Sequence, residues 1–484
     1  MQSYPAQRES DQSSTSLNSV SITLQTRTQG QSPDYETLRA RYFNGRLPAH
    51  KPVEIATPTC TDDVKNLIIR AKARDLEIGV RSGGHLFPAC SLIENGMLID
   101  TCNLNRSIEY NTTTKCAALG PATTVREAAD QMTALGRFFP FGHHPSVGLG
   151  GFLLAGGQGW FLRGWGCTAD TWVERIEVVM PAGEVIIARR EQNYDVFWAA
   201  RGSGQGFFGV VTRIWVRTMP AKSLFERCIL LDASENYHQQ LEWALEICDH
   251  IPKFGTDIAI VTCWSDALEP GEHIETRTSK LNMMIAVTMY ADSKEEAATM
   301  VAPLDNIPEG ISNDLIESVP TKATTWQELF DLQDAVFPPH DRWQCDSILT
   351  DNDVSYKELA DLSGTAMCKL PTRWSVGTIC VADYFPDEAD KALSLPQKHY
   401  VSTMTRWKNA SDDELMRKWM YDAYEGLEKL SVGQYVADFD VNQRVRRVMT
   451  DSALKKWLLI RAKWDPDEMF VGYKGFKSIL DQPS

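Results

Sequence analysis

The stretch GHHPSVGLGG, residues 142–151, sets two adjacent histidines, His143 and His144, against a proline, a serine and a glycine cluster. Imidazoles so placed could ligate a metal, guard a phosphate, or fill a position shaped for something else. A metal site needs two or three further ligands, adjacent side chains diverge, and no H-E-x-x-H or second His/Asp cluster lies nearby. No metal is expected. The glycines say more: PSVGLGGFLLAGGQGW, residues 145–160, places Gly148, Gly150, Gly151, Gly156 and Gly157 around an apolar tetrapeptide. Glycine at this density costs backbone entropy, and it points to something large and flat lying close to the main chain.

Nucleotide and hydrolase motifs do not fit. Gly151 and Gly156 have P-loop spacing, but Gly157 and Gln158 stand where Lys and Ser/Thr are required. Gly204, Gly206 and Gly209 in FWAARGSGQGFFGVVT spell G-x-G-x-x-G, yet this stretch leaves a helix and enters the strand VVTRIWV, the reverse of a dinucleotide fingerprint. Ser203 has Arg201 where a nucleophile elbow needs its first glycine. In VRSGGHLFPA, residues 80–89, Arg81, Ser82, Gly83 and Gly84 follow a strand. They read either as a plain Gly-Gly turn or as an anion nest of inward N–H groups, with Arg81 adding charge.

These residues must be positioned by β-α-β elements. VEIATPTCTDDVKNLIIRAKARDLEIGVRSGGH reads as a strand, a Thr or Asp cap, an amphipathic helix, and the strand LEIGV running into Gly-Gly. Strands follow at GMLID, KCAALG, ERIEVVMPAGEVIIA and GVVTRIWVRTMP, with Pro-Ala-Gly turning a hairpin. Beyond Pro220 the glycine density falls, and strand-like DIAIVTCW and LNMMIAVTMYA alternate with helical SENYHQQLEWALEICDHI, SKEEAATMVAPL and SDDELMRKWMYDAYEGLEKL. The expected organisation is α+β: a mobile polar tail over 1–40, a glycine-rich domain over 41–220, a second domain over 221–430, and a C-terminal segment over 431–484.

At 484 residues the chain exceeds what one core supports, so more than one domain is the default. A net charge of −15 disfavours a nucleic-acid or anionic-membrane partner and moves small molecules forward. Eleven cysteines without a C-x-x-C pair read as reduced thiols. The N-terminal residues lack a basic region followed by an apolar core, and apolar runs such as MMIAV are far too short to span a bilayer. A cytoplasmic location is expected.

In order, EIATPTCTDDV, VRSGGH, GHHPSVGLGGFLLAGGQGW, GCTADTWVERIEVVMPAGEV, FWAARGSGQGFFGVVT and DPDEMF resemble the FAD-linked oxidoreductases of the berberine bridge enzyme-like group, within the vanillyl-alcohol oxidase and p-cresol methylhydroxylase superfamily. The resemblance is close over about 45–220 and looser in the last 50 residues. It implies a two-subdomain FAD-binding domain of p-cresol methylhydroxylase type, a substrate domain whose antiparallel sheet is covered by helices, and a C-terminal segment that returns to the FAD domain. It places Arg81, Ser82, Gly83, Gly84, Pro145, Ser146, Val147, Gly148, Gly150, Gly151, Gly156, Gly157, Asp170 and Tyr435 around the cofactor, with His85 bonded to the flavin. Many relatives carry a second link from a cysteine in G-x-C-P-T-V-G. Here His144 holds that place, so a single bond, at His85, is expected, with His144 shaping the flavin's surroundings. Val147 falls where relatives control oxygen access. Thr171 and Ala437 depart from the family's usual asparagines.

The implied activity is an FAD-dependent oxidase that takes a hydride from an alcohol, amine or phenolic natural product, with or without cyclisation, and reduces O2 to hydrogen peroxide. A dehydrogenase with another acceptor and a redox-neutral cyclase are the alternatives. Tyr435 is the first candidate for the base, followed by His340 and Asp341 in PPHDRWQCDS. The covalent link is checked by acid precipitation: the wild-type pellet should stay yellow, whereas His85→Ala should release its flavin to the supernatant.

Overall fold

The computed structural model describes residues 23–26, 33–268, 279–472 and Phe476. Its first sheet contains β1 (Thr23–Thr26), β2 (Glu54–Thr57), β3 (Ile78–Arg81) and β4 (Met97–Asp100), in the order β1-β2-β4-β3. β2, β4 and β3 run parallel, and β1 is antiparallel to β2. The helix Thr61–Ala73 joins β2 to β3 and buries Val64, Leu67, Ile68 and Ala71. That spacing is one face of a 3.6-residue period, which is why it packs on the sheet. Cys60 takes the N-cap position, and the Asp63 carboxylate accepts from the Thr59 and Cys60 amides.

The expected tail ends sooner than residue 40. Thr23–Thr26 pairs along β2, Pro33–Arg39 is helical, and Tyr35 is fully buried with its hydroxyl donating to the Pro52 carbonyl. An aromatic ring and a paired strand offset the ordering entropy that the polar composition alone could not. The rest of the tail lies outside the described residues.

The next seven strands are β5 (Glu109–Asn111), β6 (Cys116–Leu119), β7 (Arg137–Phe138), β8 (Val173–Val179), β9 (Val185–Ala188), β10 (Val210–Arg217) and β11 (Met219–Pro220). They form an antiparallel sheet, β5-β6-β10-β8-β9, and a ribbon of β11 with β7. Pro181-Ala182-Gly183 turns the β8–β9 hairpin, with Gly183 at φ 83°.

A seven-stranded antiparallel sheet follows, built from β12 (Ser223–Asp232), β13 (Thr256–Trp264), β14 (Leu281–Ala291), β15 (Leu315–Thr324), β16 (Arg342–Leu349), β17 (Val376–Cys380) and β18 (Tyr400–Trp407). Its order is β15-β12-β14-β13-β17-β18-β16. Alternation decides its two faces. Ile258, Ile260, Met283, Ile285, Ile379 and Val401 share a core with helices Tyr237–Cys248, Tyr356–Met367 and Asp413–Glu425. Their neighbours Asp257, Ala259, Met284, Ala286, Thr378 and Tyr400 line a cavity on the other side. A one-residue slip would exchange the two sets, so the apolar core locks the register that aims the cavity residues. No helix among the described residues is long and apolar enough to cross a membrane.

Two contacts tie the C-terminal segment to both halves. Arg444 donates to both oxygens of Asp346 on β16, at 2.8 and 2.9 Å, with both side chains buried. Further on, the Ile78 amide donates to the Met469 carbonyl, while Asp465 accepts from the Met469 and Phe470 amides, which makes DPDEMF a carboxylate-centred turn against β3. Arg444→Met leaves Asp346 buried without its cation and should lower the unfolding free energy by about 3–5 kcal/mol, read as a reduced denaturant midpoint. Adding Asp346→Leu should recover part of that loss.

Candidate cofactor and substrate site

A cavity of about 790 Å³ lies between the glycine-rich sheets and the open face of the seven-stranded sheet. One wall is made where two glycine loops touch. A Cβ on Gly83 would stand 2.6 Å from the Gly148 amide nitrogen, and one on Gly148 would stand 2.6 Å from that of Gly83. Neither position admits a side chain without moving backbone. Gly84 sits at φ 70°, where a Cβ would also meet the Arg41 carbonyl at 2.7 Å. The Gly83, Gly84 and His85 amides donate to no backbone acceptor among the described residues, as an anion nest requires.

Gly151 is different. It lines the cavity, and a Cβ there would meet nothing within 4 Å. Protein packing does not demand glycine at this position, whereas a flat molecule against the backbone would. Trp160 Nε1 and Gln205 Oε1 also line the cavity as buried polar atoms without a partner among the described residues. A buried unpaired donor or acceptor is costly, so both suit a polar ligand. These features fit a planar cofactor with a phosphate-bearing tail.

At the head of the nest, His85 stacks on Phe43 with centroids 4.0 Å apart. His144 meets the same ring edge-on at 5.2 Å, and its own ring lies 4.8 Å from that of His85. The Ser146 hydroxyl joins them, 3.0 Å from His85 Nε2 and 3.0 Å from His144 Nδ1. Burial holds both imidazoles below the ordinary histidine pKa, and for His85 the neighbouring His144 adds to the shift. His143 points elsewhere, with its Nε2 at 3.4 Å from the Asp257 carboxylate on β13, across the cavity boundary.

The opposite wall carries a carboxylate that no motif announced. Asp438 lines the cavity and accepts a 2.9 Å hydrogen bond from the Tyr400 hydroxyl. Burial pushes its pKa up to about 6. Tyr435 lies edge-on to Tyr400 at 6.0 Å and also faces the cavity. Burial raises its hydroxyl above the usual phenol range, so it stays protonated at neutral pH.

The sequence-derived residues divide by position. Arg81, Ser82, Gly83, Gly84, His85, His144, Val147, Gly148, Gly150, Gly151 and Tyr435 line the cavity, and Ser146 bridges the two histidines beside it. Pro145, Gly156, Gly157, Asp170, His340 and Asp341 do not. The Arg81 charge is spent on Asp100, at 2.6 Å, with Tyr42 stacked on the guanidinium, so it holds the loop in place and is not a free cation. Pro145 is buried outside the cavity and its carbonyl accepts from Arg126. Gly156 and Gly157, both at positive φ, shape a turn whose carbonyls take the Ala169 and Thr168 amides. Asp170 accepts from Cys167 and Tyr384 and pairs with Lys391 at 2.8 Å, fastening that turn to the segment between β17 and β18. His340 is exposed at φ 70°, and Asp341 is paired with Arg406 at 2.6 Å, so neither of these expected bases faces the cavity.

Asp438 follows Ala437 in the GQYVADF segment, and an acid three residues after a flagged tyrosine was the available signal. Tyr400 and Asp257 had none, because only strand pairing brings them here.

The family described as FAD binding domain matches residues 52–189. FAD-linked oxidoreductase janO of Penicillium janthinellum is 28% identical over 449 residues, covering 91% of this chain and 94% of its own. Berberine bridge enzyme-like 23 of Arabidopsis thaliana is 29% identical over 221 residues, 44% of this chain and 41% of its own. The crystal structure of 6-hydroxy-D-nicotine oxidase from Arthrobacter nicotinovorans shares the fold, with a TM-score of 0.78 at 17% identity over 94% of this chain and 97% of that one.

Two glycine substitutions separate packing from ligand binding. Gly83→Ala should lower the melting temperature of the apoprotein. Gly151→Ala, inside the helix Leu149–Leu154, should leave it unchanged or stabilise it by up to about 1 kcal/mol while weakening FAD uptake in a fluorescence titration.

Proposed function

We propose that the chain is an FAD-linked oxidoreductase of the berberine bridge enzyme-like group that acts as an oxidase of a small alcohol, amine or phenolic natural product. One observation carries this reading: a single cavity joins the glycine nest and His85 on one side to the half-buried Asp438 and its partner Tyr400 on the other. FAD, when bound, accepts a hydride from a substrate C–H bond and delivers two electrons to O2, giving hydrogen peroxide.

The chain's own groups do the rest. The Gly83, Gly84 and His85 amides would hold the pyrophosphate, and His85 would supply the single covalent link. Gly148, Gly150 and Gly151 would let a flat ring system approach the backbone, and Val147 lines the cavity beside them where O2 would need access. Substrate enters under the open sheet face, where Ala259, Met284, Ala286 and Met404 exclude water. Asp438 accepts the proton of the substrate hydroxyl or ammonium as the adjacent C–H bond breaks, and the Tyr400 hydrogen bond fixes the carboxylate's direction. A base with a pKa near the working pH suits this task.

The sign of the pH dependence follows. Asp438 must be ionised to accept a proton, so kcat/KM should fall as pH drops through about 6. Asp438→Asn should reduce kcat/KM by about 10²- to 10⁴-fold and abolish that acidic limb. Substrate is found by following hydrogen peroxide release across alcohols, amines and phenols. Without O2, the first turnover should bleach the flavin and stop. Continued turnover with an added acceptor identifies a dehydrogenase, and unaided turnover a redox-neutral cyclase.

A further inference from the structure

The large sheet presents a second polar group to the cavity, apart from Asp438. Asp257 on β13 accepts from the Phe161 amide at 2.8 Å, and each of its carboxylate oxygens lies 3.4 Å from His143 Nε2. A carboxylate only accepts, so the Nε2 proton faces it, and His143 Nδ1 has no partner among the described residues. The His143 ring is 4.4 Å from that of Trp160, which lines the cavity at 5% exposure and keeps its Nε1–H without a partner among the described residues. Trp160 also packs 5.6 Å from Trp326, at the start of the helix Trp326–Val336, so its donor belongs to the sheet side of the cavity and not to the glycine nest. An unpartnered donor and an unpartnered ring nitrogen are thus left side by side.

Strand register gives the distance between this place and the proton acceptor. Ala259 pairs with Ala286 on β14 and with Cys380 on β17, and Cys380 pairs with Tyr400 on β18. All four line the cavity, so one row across the sheet is a trough of small side chains that ends at Tyr400 and its partner Asp438. Asp257 stands two residues before Ala259 on the same face. Two strand spacings across and one two-residue step along separate the Asp257 and Tyr400 backbones by about 12 Å. We infer that His143, Trp160 and Asp257 form a second subsite, which holds a hydroxyl group of the substrate remote from the bond that reacts. A hydroxyl can donate to His143 Nδ1 and accept from Trp160 Nε1–H at once, whereas a carbonyl oxygen lacks the first capacity and an ammonium group the second. Asp257 fixes the direction of the imidazole and is a positioning residue. The substrate is then a flat, largely apolar molecule that lies along the trough, with this hydroxyl at one end and the group to be oxidised at the other. The inference rests on the reading that FAD and substrate share this cavity.

The test uses the full-length, FAD-loaded protein and two probes, 4-(4-hydroxyphenyl)benzyl alcohol and 4-phenylbenzyl alcohol, which share the oxidisable group and differ only in the remote hydroxyl. Dithionite-reduced protein under anaerobic conditions cannot take a hydride, so equilibrium dialysis reads binding without turnover. Wild type should bind the hydroxylated probe at least about 10-fold more tightly than its partner. His143→Phe removes the ring nitrogens and Trp160→Phe removes the Nε1–H, and each should bring the ratio of the two Kd values to about one. Asp257→Ala, which frees the imidazole to turn, should lower the same ratio, a loss confined to the hydroxylated probe that a merely structural role would not produce. Asp438→Asn should keep the ratio while slowing hydrogen peroxide release in air. Equal binding of the probes by wild type, binding of neither, or a preference kept in both His143→Phe and Trp160→Phe would overturn the subsite; the wild-type comparison needs no variant to fold. A wild-type preference without hydrogen peroxide from either probe would support the subsite and overturn the oxidase reading. Failure of wild type to take up FAD would overturn the cavity reading, and the inference with it.

Discussion

The backbones of Gly83 and Gly148 approach so closely that a methyl group on either would collide with the other's amide nitrogen. Everything on the cofactor side of the cavity inherits its position from this contact. It leaves the Gly83, Gly84 and His85 amides without a backbone acceptor among the described residues, and it sets His85 beside Ser146 and His144. It also places the helix Leu149–Leu154, with Gly151 open to the cavity, directly beyond the nest. A side chain at the contact would not merely crowd a ligand. It would separate the loops and undo the histidine pairing.

The large-sheet side of the cavity is organised by alternation. Each strand of the large sheet contributes one set of residues to the helix-covered core and the intervening set to the cavity, so stability and recognition are read from the same strands at opposite parity. Such a sheet face is useful only if it stays over the glycine loops. Asp346 and Arg444 hold the C-terminal segment to β16, and the Ile78–Met469 hydrogen bond holds its far end to β3. Leu349 exchanges backbone hydrogen bonds with Val432 and Gly433 just before Tyr435, and Arg444 follows Asp438, so the stretch that carries both is held on either side.

Burial sets the chemistry of the two walls in opposite senses. It keeps His85 and His144 neutral, as donors and acceptors of single protons, and it lifts Asp438 into the range where a carboxylate exchanges a proton near neutral pH. The same burial keeps Tyr435 protonated. Environment, and not residue type, divides the labour among them.

The sequence by itself determined the elements and the cofactor class. Glycine spacing after strands, the 3.6-residue helix pattern and alternating strands are local, and six ordered segments sufficed to point to an FAD-linked fold. It also contained His85, Ser146 and His144 within sixty or so residues. Only the tertiary structure decided that Ser146 stands between the histidines, that Asp170 and Arg81 spend their charges on Lys391 and Asp100, and that His340 and Asp341 face away. Tyr400 and Asp438 meet because β18 pairs with β16 and the chain then returns along it. A hydrogen bond acts over about 3 Å, whereas its partners here are separated by tens to hundreds of residues. Local pattern cannot fix such distances; they exist only once strand register and loop contact have closed the cavity.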